Sequence, residues 1–542
     1  MAGKHVLFRS EAREKVLRGA TLMTDAVRIT LGPKSKCVLI DKKWGAPFVC
    51  NDGVTIAKEF ELADPEENMG AKMLLQAAER TGNAVGDGTS TATVLAHALY
   101  AEGVRNIAAR ASAIDLKRGL DRGLRVALDA LKLLARPVQS SREKMQVAAI
   151  AAHNDEEIGR LVTEAIEKVG SDGVVSVEEA KGTETTVELV EGTQFDRGYL
   201  SAYFITDPQN AEVVLENPVL FLSEQKISAV KDLLPLLESV AKSGRPLCLI
   251  LDDLEGEALA TIVLNKLRGV LPAAAAKAPG YGDRRKEMLQ DIATLTGGQV
   301  FSEQLGVTLE KFEVSQLGRC RRVVMNKDTT TLIGGEGAKD AIEGRKKELR
   351  KQIQDTKSDY DREKLQERLA KISGGVAVIH VGAASEAELK NRKEAFDDAI
   401  HATRAAIEEG VVPGGGLALL RLIPPLEAEE KKVDGDERTG IRILLRALEV
   451  PTRQIAENSG FDAGVVVDKM RHGEGSFGFD AARGVYVDLA ETGILDPAKV
   501  VRVALENAVS VASVLLLAEA TLTEIPEPKK DSMGAAAGEP EY

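Results

Sequence analysis

The sequence is poor in aromatic residues and has an excess of acidic over basic charge. Of its 542 residues only 4% are aromatic, and Trp44 is the single tryptophan, so few rings are available to stack on nucleic-acid bases. The formal net charge is −13, and an acidic chain lacks the basic surface that binds phosphate backbones. Nucleic acid is therefore excluded as the main partner.

Cysteine is scarce and scattered, at positions 37, 50, 248 and 320. No two cysteines form a C-x-x-C pair, so the sequence predicts isolated reduced thiols and neither a disulfide framework nor a zinc site. The six histidines likewise form no cluster of metal ligands.

Long apolar runs are also missing. The stretch MAGKHVLFRSEAREK at the start carries charges throughout and lacks the apolar core of a signal peptide. No apolar run approaches the roughly 20 residues that span a bilayer, and we expect VASVLLLAEA, near residue 515, to be a core helix. The sequence therefore predicts a cytoplasmic protein without membrane contact.

The texture of the chain changes along its length. Both ends are mainly helical, whereas strands and helices alternate from about residue 191, which predicts a compact α/β region with some parallel strands. The charged stretch 339–372 is interpreted as two antiparallel helices. This symmetrical order suggests a nested insertion, in which the first and last segments form one domain.

Several boundaries are marked by local signals. Asp64 followed by Pro65 predicts a helix start, and Leu31-Gly32-Pro33 predicts the stop of a preceding helix. Residues 36–54 are predicted to form two short strands around a Lys-Lys-Trp-Gly turn. A helix is expected over 438–458.

The stretch VGDGTSTATVL, residues 85–95, interrupts two helical runs. Gly86 and Gly88 allow backbone angles that other residues resist, and Asp87 offers the hard oxygen ligand that Mg²⁺ prefers. Free amides at the following helix start would suit a phosphate, at Thr89, Ser90 and Thr91. The alternative is a glycine-rich turn with a threonine or serine N-cap.

Four stretches of this kind recur: TLGPKSK at 30–36, NDGV at 51–54, GDGTST at 86–91 and PGGGLAL at 413–419. Neither the P-loop pattern nor a dinucleotide G-x-G-x-x-G after a strand is present. Asp397 and Asp398 lie on a predicted helix, where adjacent side chains point about 100° apart. At most one of them would therefore face a common pocket.

Taken together, the motifs closely resemble those of the group I chaperonins, the GroEL family. The resemblance runs in order from about residue 3 to 526, through TLGPKSKCVLID, NDGVTIAKEFEL, ENMGAKML, GDGTSTATVLA, VEGTQFDRGYLSAYF, EGEALATIVLNKLRG, KAPGYGDRRKEMLQDIATLTGG, NKDTTTLI, SDYDREKLQERLAKISGGVAVIHVGA, DDAIHATRAAIEEGVVPGGG and GILDPAKV.

The resemblance implies a multidomain α/β fold with a large helical equatorial domain, a small mixed intermediate domain and an inserted α/β apical domain. The implied boundaries are 1–136 and 410–526 (equatorial), 137–190 and 377–409 (intermediate), 191–376 (apical) and 527–542 (disordered tail). It also implies an ATPase that uses Mg²⁺ and K⁺, assembles into seven-membered rings, two of them stacked, and encloses unfolded polypeptides under a GroES-type co-chaperonin.

The resemblance carries a nucleotide site over to this chain. Asp398 would activate the attacking water with help from Asp52, and Asp87 would bind Mg²⁺, while Thr30, Asn51 and Ser90 are implied as K⁺ ligands. The implied nucleotide contacts are Thr30, Leu31, Gly32, Pro33, Asn51, Asp87, Gly88, Thr89, Ser90, Thr91, Gly415, Asp480, Ala481, Ala482, Ile494 and Asp496.

The resemblance also implies an exposed apolar groove that captures unfolded chains and the co-chaperonin. Leucine and valine pairs at i,i+3 and i,i+4 spacing would form stripes on two helix faces. The implied residues are Tyr199, Tyr203, Phe204, Leu234, Leu237, Leu259, Val263 and Leu264. Arg197 and Glu386 match positions whose ionic contacts change during the family's cycle.

The chain departs from the family pattern at four places. Asn51 stands where the family commonly has Lys, Asn83 replaces a common acid, Asp480 replaces a common Asn, and a Gly-Gly-Met tail is missing. Asn51 and the missing tail leave open an assembled paralogue that acts mainly as a holdase or scaffold with weak ATPase activity. A monomeric kinase or ligase is a further alternative from a different class.

Overall fold

The fold is a mixed α/β architecture, as the sequence predicts. The computed structural model describes residues 4–41, 47–170, 173–180, 182–208, 210–302, 313–356 and 358–524. Trp44 with its predicted turn, and the predicted disordered tail, lie outside these ranges. The described residues form two compact units: the terminal unit, through Arg160 and from Lys390 onward, and the inserted unit, Leu161–Leu389.

The chain begins in the terminal unit with mainly helical structure. Its elements are β1 Lys4–Phe8, α1 Arg9–Val27, β2 Val38–Ile40, β3 Phe48–Cys50, α2 Gly53–Glu59, α3 Pro65–Val85, α4 Thr89–Ala108, α5 Ala113–Leu134, α6 Ser141–Ala151 and α7 Glu156–Val169.

Strands and helices then alternate. The elements are β4 Val174–Glu179, β5 Thr186–Val190, β6 Gly192–Phe195, β7 Val213–Glu216, β8 Val219–Ser223, β9 Lys226–Ile227, α8 Leu234–Ser243, β10 Leu247–Leu251, β11 Asp253–Leu254, α9 Gly256–Leu267, β12 Ala273–Lys277, α10 Asp283–Thr296, β13 Val300–Phe301, β14 Gly318–Met325, β15 Thr330–Gly335, α11 Lys339–Asp355, α12 Asp359–Ser373, β16 Val376–Val381 and α13 Glu386–Glu409.

The chain returns to the terminal unit along α13 and again becomes mainly helical. The remaining elements are β17 Val411–Pro413, α14 Leu417–Arg421, α15 Ile423–Glu430, α16 Gly435–Ala447, α17 Val450–Asn458, α18 Ala463–His472, β18 Phe477–Asp480, β19 Val485–Asp488, β20 Leu495–Pro497, α19 Ala498–Leu517 and β21 Ala520–Glu524.

Two local signals act as predicted in the terminal unit. The Asp64 side chain accepts hydrogen bonds from the amides of Glu66 and Glu67, both at 3.1 Å, and Pro65 opens α3. Strands β2 and β3 pair antiparallel, with Val38 opposite Cys50, which confirms the two short strands. The helix predicted over 438–458 is instead two helices, because Pro451 lies in the first turn of α17 and has no amide to continue α16.

The two ends of the described chain pair with each other. Strand β1 lies antiparallel to β21, with Lys4 opposite Glu524 and Phe8 opposite Ala520. The hydroxyl of Thr523 also donates to Oε1 of Glu66 at 2.7 Å, so β21 is bound to α3 as well. Neither strand was predicted from the sequence.

Two helical glycines allow α5 and α16 to pack closely. A methyl group on Gly119 would overlap the carbonyl oxygen of Glu437, and one on Gly440 would overlap that of Leu116. Only glycine therefore permits this helix separation. Because α5 precedes the inserted unit and α16 follows it, this contact joins the two parts of the terminal unit.

Helix α19 corrects one expectation. Ala498–Leu517 has 20 residues and a mean hydropathy of 1.8, so by length and composition alone it would satisfy the criteria for a membrane span. Two thirds of this apolar window is buried (67%), and α19 packs against α3, α4 and α5. The expectation of a core helix is confirmed, whereas the expectation that no run is long enough is wrong.

The inserted unit contains the predicted parallel strands. Strand β10 pairs in parallel with β8 and with β12, and β13 pairs in parallel with β8. Every residue of β8 and β10 is buried, as expected for parallel strands covered on both faces. The sheet runs in the order β12-β10-β8-β14-β15-β6, and its β14, β15 and β6 strands are antiparallel.

The charged stretch forms the two predicted helices, α11 and α12. Ile342 and Leu349 are buried in a small cluster with Leu295 and Ile372. Arg345 of α11 and Arg368 of α12 both donate to Asp291 of α10, at 2.7 and 2.8 Å. A buried carboxylate shared by two guanidinium groups thus ties both helices to the α/β core.

Candidate functional site

The GDGTST segment is the junction between α3 and α4. Helix α3 ends at Val85, Gly86 adopts a left-handed conformation with φ of 71°, and Gly88 with φ of 78° is the N-cap of α4. Gly88 supplies no side-chain cap, so the alternative of a threonine or serine N-cap is wrong. The first amides of α4 are therefore available to an anion.

Both glycines are also required by their neighbours. A methyl group on Gly86 would overlap the ring of His401 on α13, and one on Gly88 would lie 2.7 Å from Cγ1 of Val500 on α19. Val85, Ala405, Val500 and Val503 form a buried cluster behind the junction. The turn is therefore held between α13 and α19.

Ser90 brings two further motifs to the same point. Its hydroxyl lies 3.0 Å from that of Thr30, and because Thr30 already donates to the Val27 carbonyl at 2.8 Å, Ser90 is the donor. A methyl group on Gly53 would overlap Oγ of Ser90. The TLGP, NDGV and GDGTST stretches, which the sequence predicts to act together, are therefore adjacent. Thr89 is buried, and Thr91 lies in the same turn.

The TLGP stretch is fixed by α17. Gly32 has φ of 92° and lies against Ile455, whose Cγ2 would be 3.1 Å from an added methyl group. The Nδ2 group of Asn458 donates to the carbonyls of Arg28 and Leu31, at 2.9 and 2.8 Å. Pro33 follows without an amide to satisfy. Asn458 was not singled out in the sequence.

Asp52 is the N-cap of α2. Its carboxylate accepts from the amides of Val54 at 3.3 Å and Thr55 at 2.7 Å. These bonds fix the side chain at the start of α2, next to Ser90 and the free amides of α4 that could bind a phosphate.

The charge of Asp87 repels two other carboxylates of this site, those of Asp398 and Asp496. Burial is the main cause that raises the pKa of all three carboxyl groups. The Asp87 charge is the second cause for Asp398 and for Asp496, and the pKa of Asp496 rises to about 7. For Asp87, the Gly88 amide and His153 oppose the burial effect, and Asp52 adds to it. The pKa of Asp398 rises well above its usual range. A cation would relieve this repulsion.

The same three side chains are partly accessible to solvent, although protein atoms surround them densely enough for burial to dominate their pKa values. They therefore line a recess that opens to solvent. Asp397 is exposed while Asp398 is not, in agreement with the expectation that at most one of them faces a pocket.

A magnesium ion fits this recess only together with a ligand. Among the described residues no three His, Cys, Asp or Glu side chains are grouped to hold a metal on their own. Mg²⁺ commonly takes one or two carboxylates and completes its shell with phosphate oxygens and water. Asp87, next to the open amides of α4, offers that arrangement.

The PGGG stretch adjoins the recess. Gly415 and Gly416 have φ of 63° and 77°, and Thr452 donates to the Gly415 carbonyl at 3.5 Å. The amide of Gly414 donates to the Ile494 carbonyl at 2.9 Å, and Val412 pairs with Asp496 between β17 and β20. The strand pair therefore brings Gly415, Ile494 and Asp496 together.

Asp480 ends β18 and stabilises the turn that follows. Its Oδ1 accepts from the amides of Ala482 at 3.0 Å and Arg483 at 3.1 Å, and Ala481 is buried beside it. An asparagine Oδ1 would accept the same two bonds, so the departure at position 480 preserves the turn.

Asn51 makes a contact that the sequence did not predict. Its Nδ2 group lies 3.1 Å from Nε2 of His153, in the turn between α6 and α7. No sequence motif marks His153. It lies 102 positions from Asn51, so nothing in the sequence indicates that the two side chains meet. Asn83, another departure, is exposed on α3.

The apolar residues expected on the inserted unit divide into two groups. Tyr203, Leu234 and Leu264 are exposed, by 68%, 45% and 50%. Phe204 is fully buried and Leu237 is 8% exposed, because both side chains lie in the core of the unit. The expectation that Phe204 and Leu237 are exposed is therefore wrong. Leu234 and Leu237 lie three residues apart on α8, but the first faces solvent and the second faces the core.

The remaining three, Tyr199, Leu259 and Val263, are partly buried against the same core. The exposed residues belong to neighbouring elements, since α9 contacts both the 202–204 turn and the turn that leads into α8. Lys266 of α9 donates to the carbonyls of Tyr203 and Ile205 at 2.9 and 2.8 Å. Arg197 donates to the Tyr281 hydroxyl at 2.7 Å, and Glu386 opens α13.

The fold and the recess identify a class of protein. The chain matches the TCP-1/cpn60 chaperonin family over residues 23–526 and belongs to that family. It is similar to chaperonin GroEL 5 of Bradyrhizobium diazoefficiens, with 65% identity over 533 residues that cover 98% of each chain. The chain is therefore a GroEL-family chaperonin, as its motifs predicted.

Proposed function

We propose that this chaperonin hydrolyses ATP in the recess of the terminal unit and uses the reaction to time the capture and folding of unfolded polypeptides. One observation carries the proposal: the TLGP, NDGV and GDGTST stretches meet at the uncapped start of α4, beside carboxylates whose raised pKa values call for a cation. An anion binding site next to an excess of acids suits a magnesium nucleotide.

The proposed roles follow from position. Asp87 holds Mg²⁺, and Thr30, Asn51 and Ser90 hold K⁺, while the amides from Gly88 to Thr91 and the segment Leu31–Pro33 bind phosphates. Gly415, Ile494 and Asp496 bind the ribose and base together with the turn at 480–482. Bound Mg²⁺ would supply charge neutralisation at the phosphates.

Asp398 is proposed to orient and deprotonate the attacking water, and Asp52 to assist it. A carboxylate with a raised pKa is a stronger base than an ordinary one and is suited to this task. Asp398 lies on α13, whereas the phosphate loops lie on other elements. A shift of α13 would therefore move Asp398 relative to the phosphate loops and change catalysis.

The polypeptide site is proposed on the inserted unit. Tyr203, Leu234 and Leu264 form its accessible part, and Tyr199, Leu259 and Val263 border it. Phe204 and Leu237 would join only after a rearrangement, because they are buried. Exposed apolar side chains on neighbouring elements suit unfolded chains of many sequences, and a GroES-type co-chaperonin would compete for them.

The assembly is proposed to be a pair of seven-membered rings in the cytoplasm, with equatorial, intermediate and apical domains at the boundaries given by the resemblance. Gel filtration tests the first part, because a monomeric kinase or ligase would elute at 58.0 kDa and a ring at many times that mass.

Turnover of ATP by the intact assembly, with Mg²⁺ and K⁺, tests the catalytic part. Asp398→Ala is expected to bind ATP but hydrolyse it slowly, and Asp87→Ala to lose Mg-ATP binding. The matched control is Asp397→Ala, an exposed acid on the same helix, which is expected to keep turnover. Negligible hydrolysis by the unaltered assembly would favour the holdase or scaffold alternative.

A further inference from the structure

The contact between Asn51 and His153 joins two parts of the chain that lie 102 positions apart. Asn51 directly precedes Asp52, the N-cap of α2, and His153 lies in the α6–α7 turn. Both side chains are exposed at this contact. The pair therefore stands at the solvent side of the recess and not in its packed core.

The backbone at His153 is unusual. His153 and Asn154 have φ of 56° and 69°, two consecutive residues in the left-handed region. The amides of His153 and Asn154 donate to carbonyls at the end of α6 at 3.2 and 2.7 Å, and the Asp155 amide donates to the carbonyl of the C-cap residue Ala152 at 3.1 Å, which closes the helix tightly. Asparagine and histidine both enter the left-handed region more often than other non-glycine residues, so this turn accepts both side chains.

The hydrogen bond with Asn51 fixes the imidazole. The Asn51 amide group donates to Nε2, so a neutral imidazole carries its proton on Nδ1. Nδ1 has no protein acceptor within the described part of the chain, and it remains free to donate. His153 is the side chain that lowers the pKa of Asp87, and its partner Asn51 directly precedes Asp52, so the imidazole lies near the carboxylates of the recess.

The chain has a specific need for such a donor. The recess is lined by four acids, Asp52, Asp87, Asp398 and Asp496, and so carries an excess of negative charge. Phosphates bind better where a donor balances acidic neighbours. Asn51 itself, bonded to His153, holds that donor in place.

We infer that Asn51 and His153 act as one unit, in which Asn51 orients the imidazole and its Nδ1–H group binds a terminal phosphate oxygen of the nucleotide. This inference rests on the proposed function, because it assigns a further ligand contact to the same recess. His153 is a binding residue under this assignment, and Asn51 is a positioning residue.

The test is equilibrium binding of ATP and AMP to the full-length assembly that carries Asp398→Ala, so that hydrolysis is slow during calorimetry. Adding His153→Ala is expected to weaken ATP binding about tenfold, the effect of losing one hydrogen bond to a charged group. AMP lacks the terminal phosphates, so its affinity is expected to stay within about twofold, well below the effect of one such bond.

Three further variants separate the side chain from the backbone. His153→Gly removes the imidazole and relieves the left-handed strain, and we expect it to bind ATP as weakly as His153→Ala. Asn51→Lys added to His153→Ala is expected to restore ATP affinity. His472→Ala, which removes an exposed histidine on α18, is the control and is expected to leave both affinities unchanged.

Two results would overturn the inference. Unchanged ATP affinity in His153→Ala would remove the phosphate contact, and equal weakening of ATP and AMP would make the role structural. If the Asp398→Ala parent bound no ATP at all, the proposed function itself would fail, so the two failures are distinguishable.

Discussion

The raised pKa of Asp496 makes a direct prediction about stability in the absence of nucleotide. Asp496 lies on β20, where burial and the Asp87 charge raise its pKa from 3.8 to about 7. Asp496→Asn removes the charge with almost no change of shape. The variant should therefore be more stable than the unaltered protein wherever Asp496 would be ionised.

The sign and size follow from proton linkage. A carboxyl whose pKa is higher in the folded state contributes its full stability below the unfolded value of 3.8 and loses it as the pH rises through about 7. A shift of about 3 pKa units corresponds to about 4 kcal/mol. Because Asp496 is partly accessible, we expect about 1 to 4 kcal/mol at pH 8 and almost no difference near pH 4.

Urea unfolding of the nucleotide-free protein at roughly pH 4.5, 6 and 8 gives the measurement. The matched control is Asp468→Asn, which neutralises an exposed acid on α18 and should shift stability equally little at each pH. A stability difference for Asp496→Asn that stays constant from pH 4.5 to about 8 would refute the reasoning, because the carboxylate would then not be destabilised by its surroundings.

Three more changes probe the packing of the chain. Gly119→Ala should lower the free energy of unfolding in urea by about 1–3 kcal/mol, because the added methyl group forces α5 away from α16. The control Gly344→Ala has open space around it on α11 and should raise that free energy by about 0.5–1 kcal/mol. Equal effects of the two variants would contradict the close helix contact. Arg345→Ala leaves the buried Asp291 with one partner and should cost about 3 kcal/mol, seen as faster hydrogen exchange in α11; unchanged exchange would count against the shared carboxylate. Burial lowers the pKa of His97 to about 4, so stability present above pH 6.5 is lost as the pH falls toward 4, by at most about 3 kcal/mol; His97→Gln should flatten that acid loss, and an unchanged acid profile would exclude His97 as its cause.

Long periodic elements and capped helix starts could be predicted from the sequence. The start of α3 at Pro65, the buried strands β8 and β10 and the pair α11 and α12 all follow from nearby residues. In each case the signal and the structure lie within one stretch of chain.

Features that depend on distant partners could not be predicted. Strand β1 exists because β21, over 500 positions away, offers its edge, and neither has a turn signal beside it. The break in α16 was missed although Pro451 marks it, because the apolar period continues on both sides. To predict such a break, the proline must count for more than the continuing apolar periodicity.

The candidate site shows the same division. The loops at Thr30, Asp52 and Asp87 were predicted to act together, and the structure brings them to Ser90. Which apolar side chains are exposed could not be predicted. The spacing of Leu234 and Leu237 places both on one helix face, but Leu237 is buried by the core of the unit and Leu234 is not. The contact of Asn51 with His153 has no sequence motif at all.

The pairing of β1 with β21 has a consequence for synthesis. A chain that emerges from the ribosome N-terminus first presents Lys4–Phe8 early, but its partner strand Ala520–Glu524 is made more than 500 residues later. The inserted unit is continuous in sequence and can complete its core long before that. A protein whose family helps other chains to fold therefore leaves its own first strand without a partner until almost all of the described chain has been made.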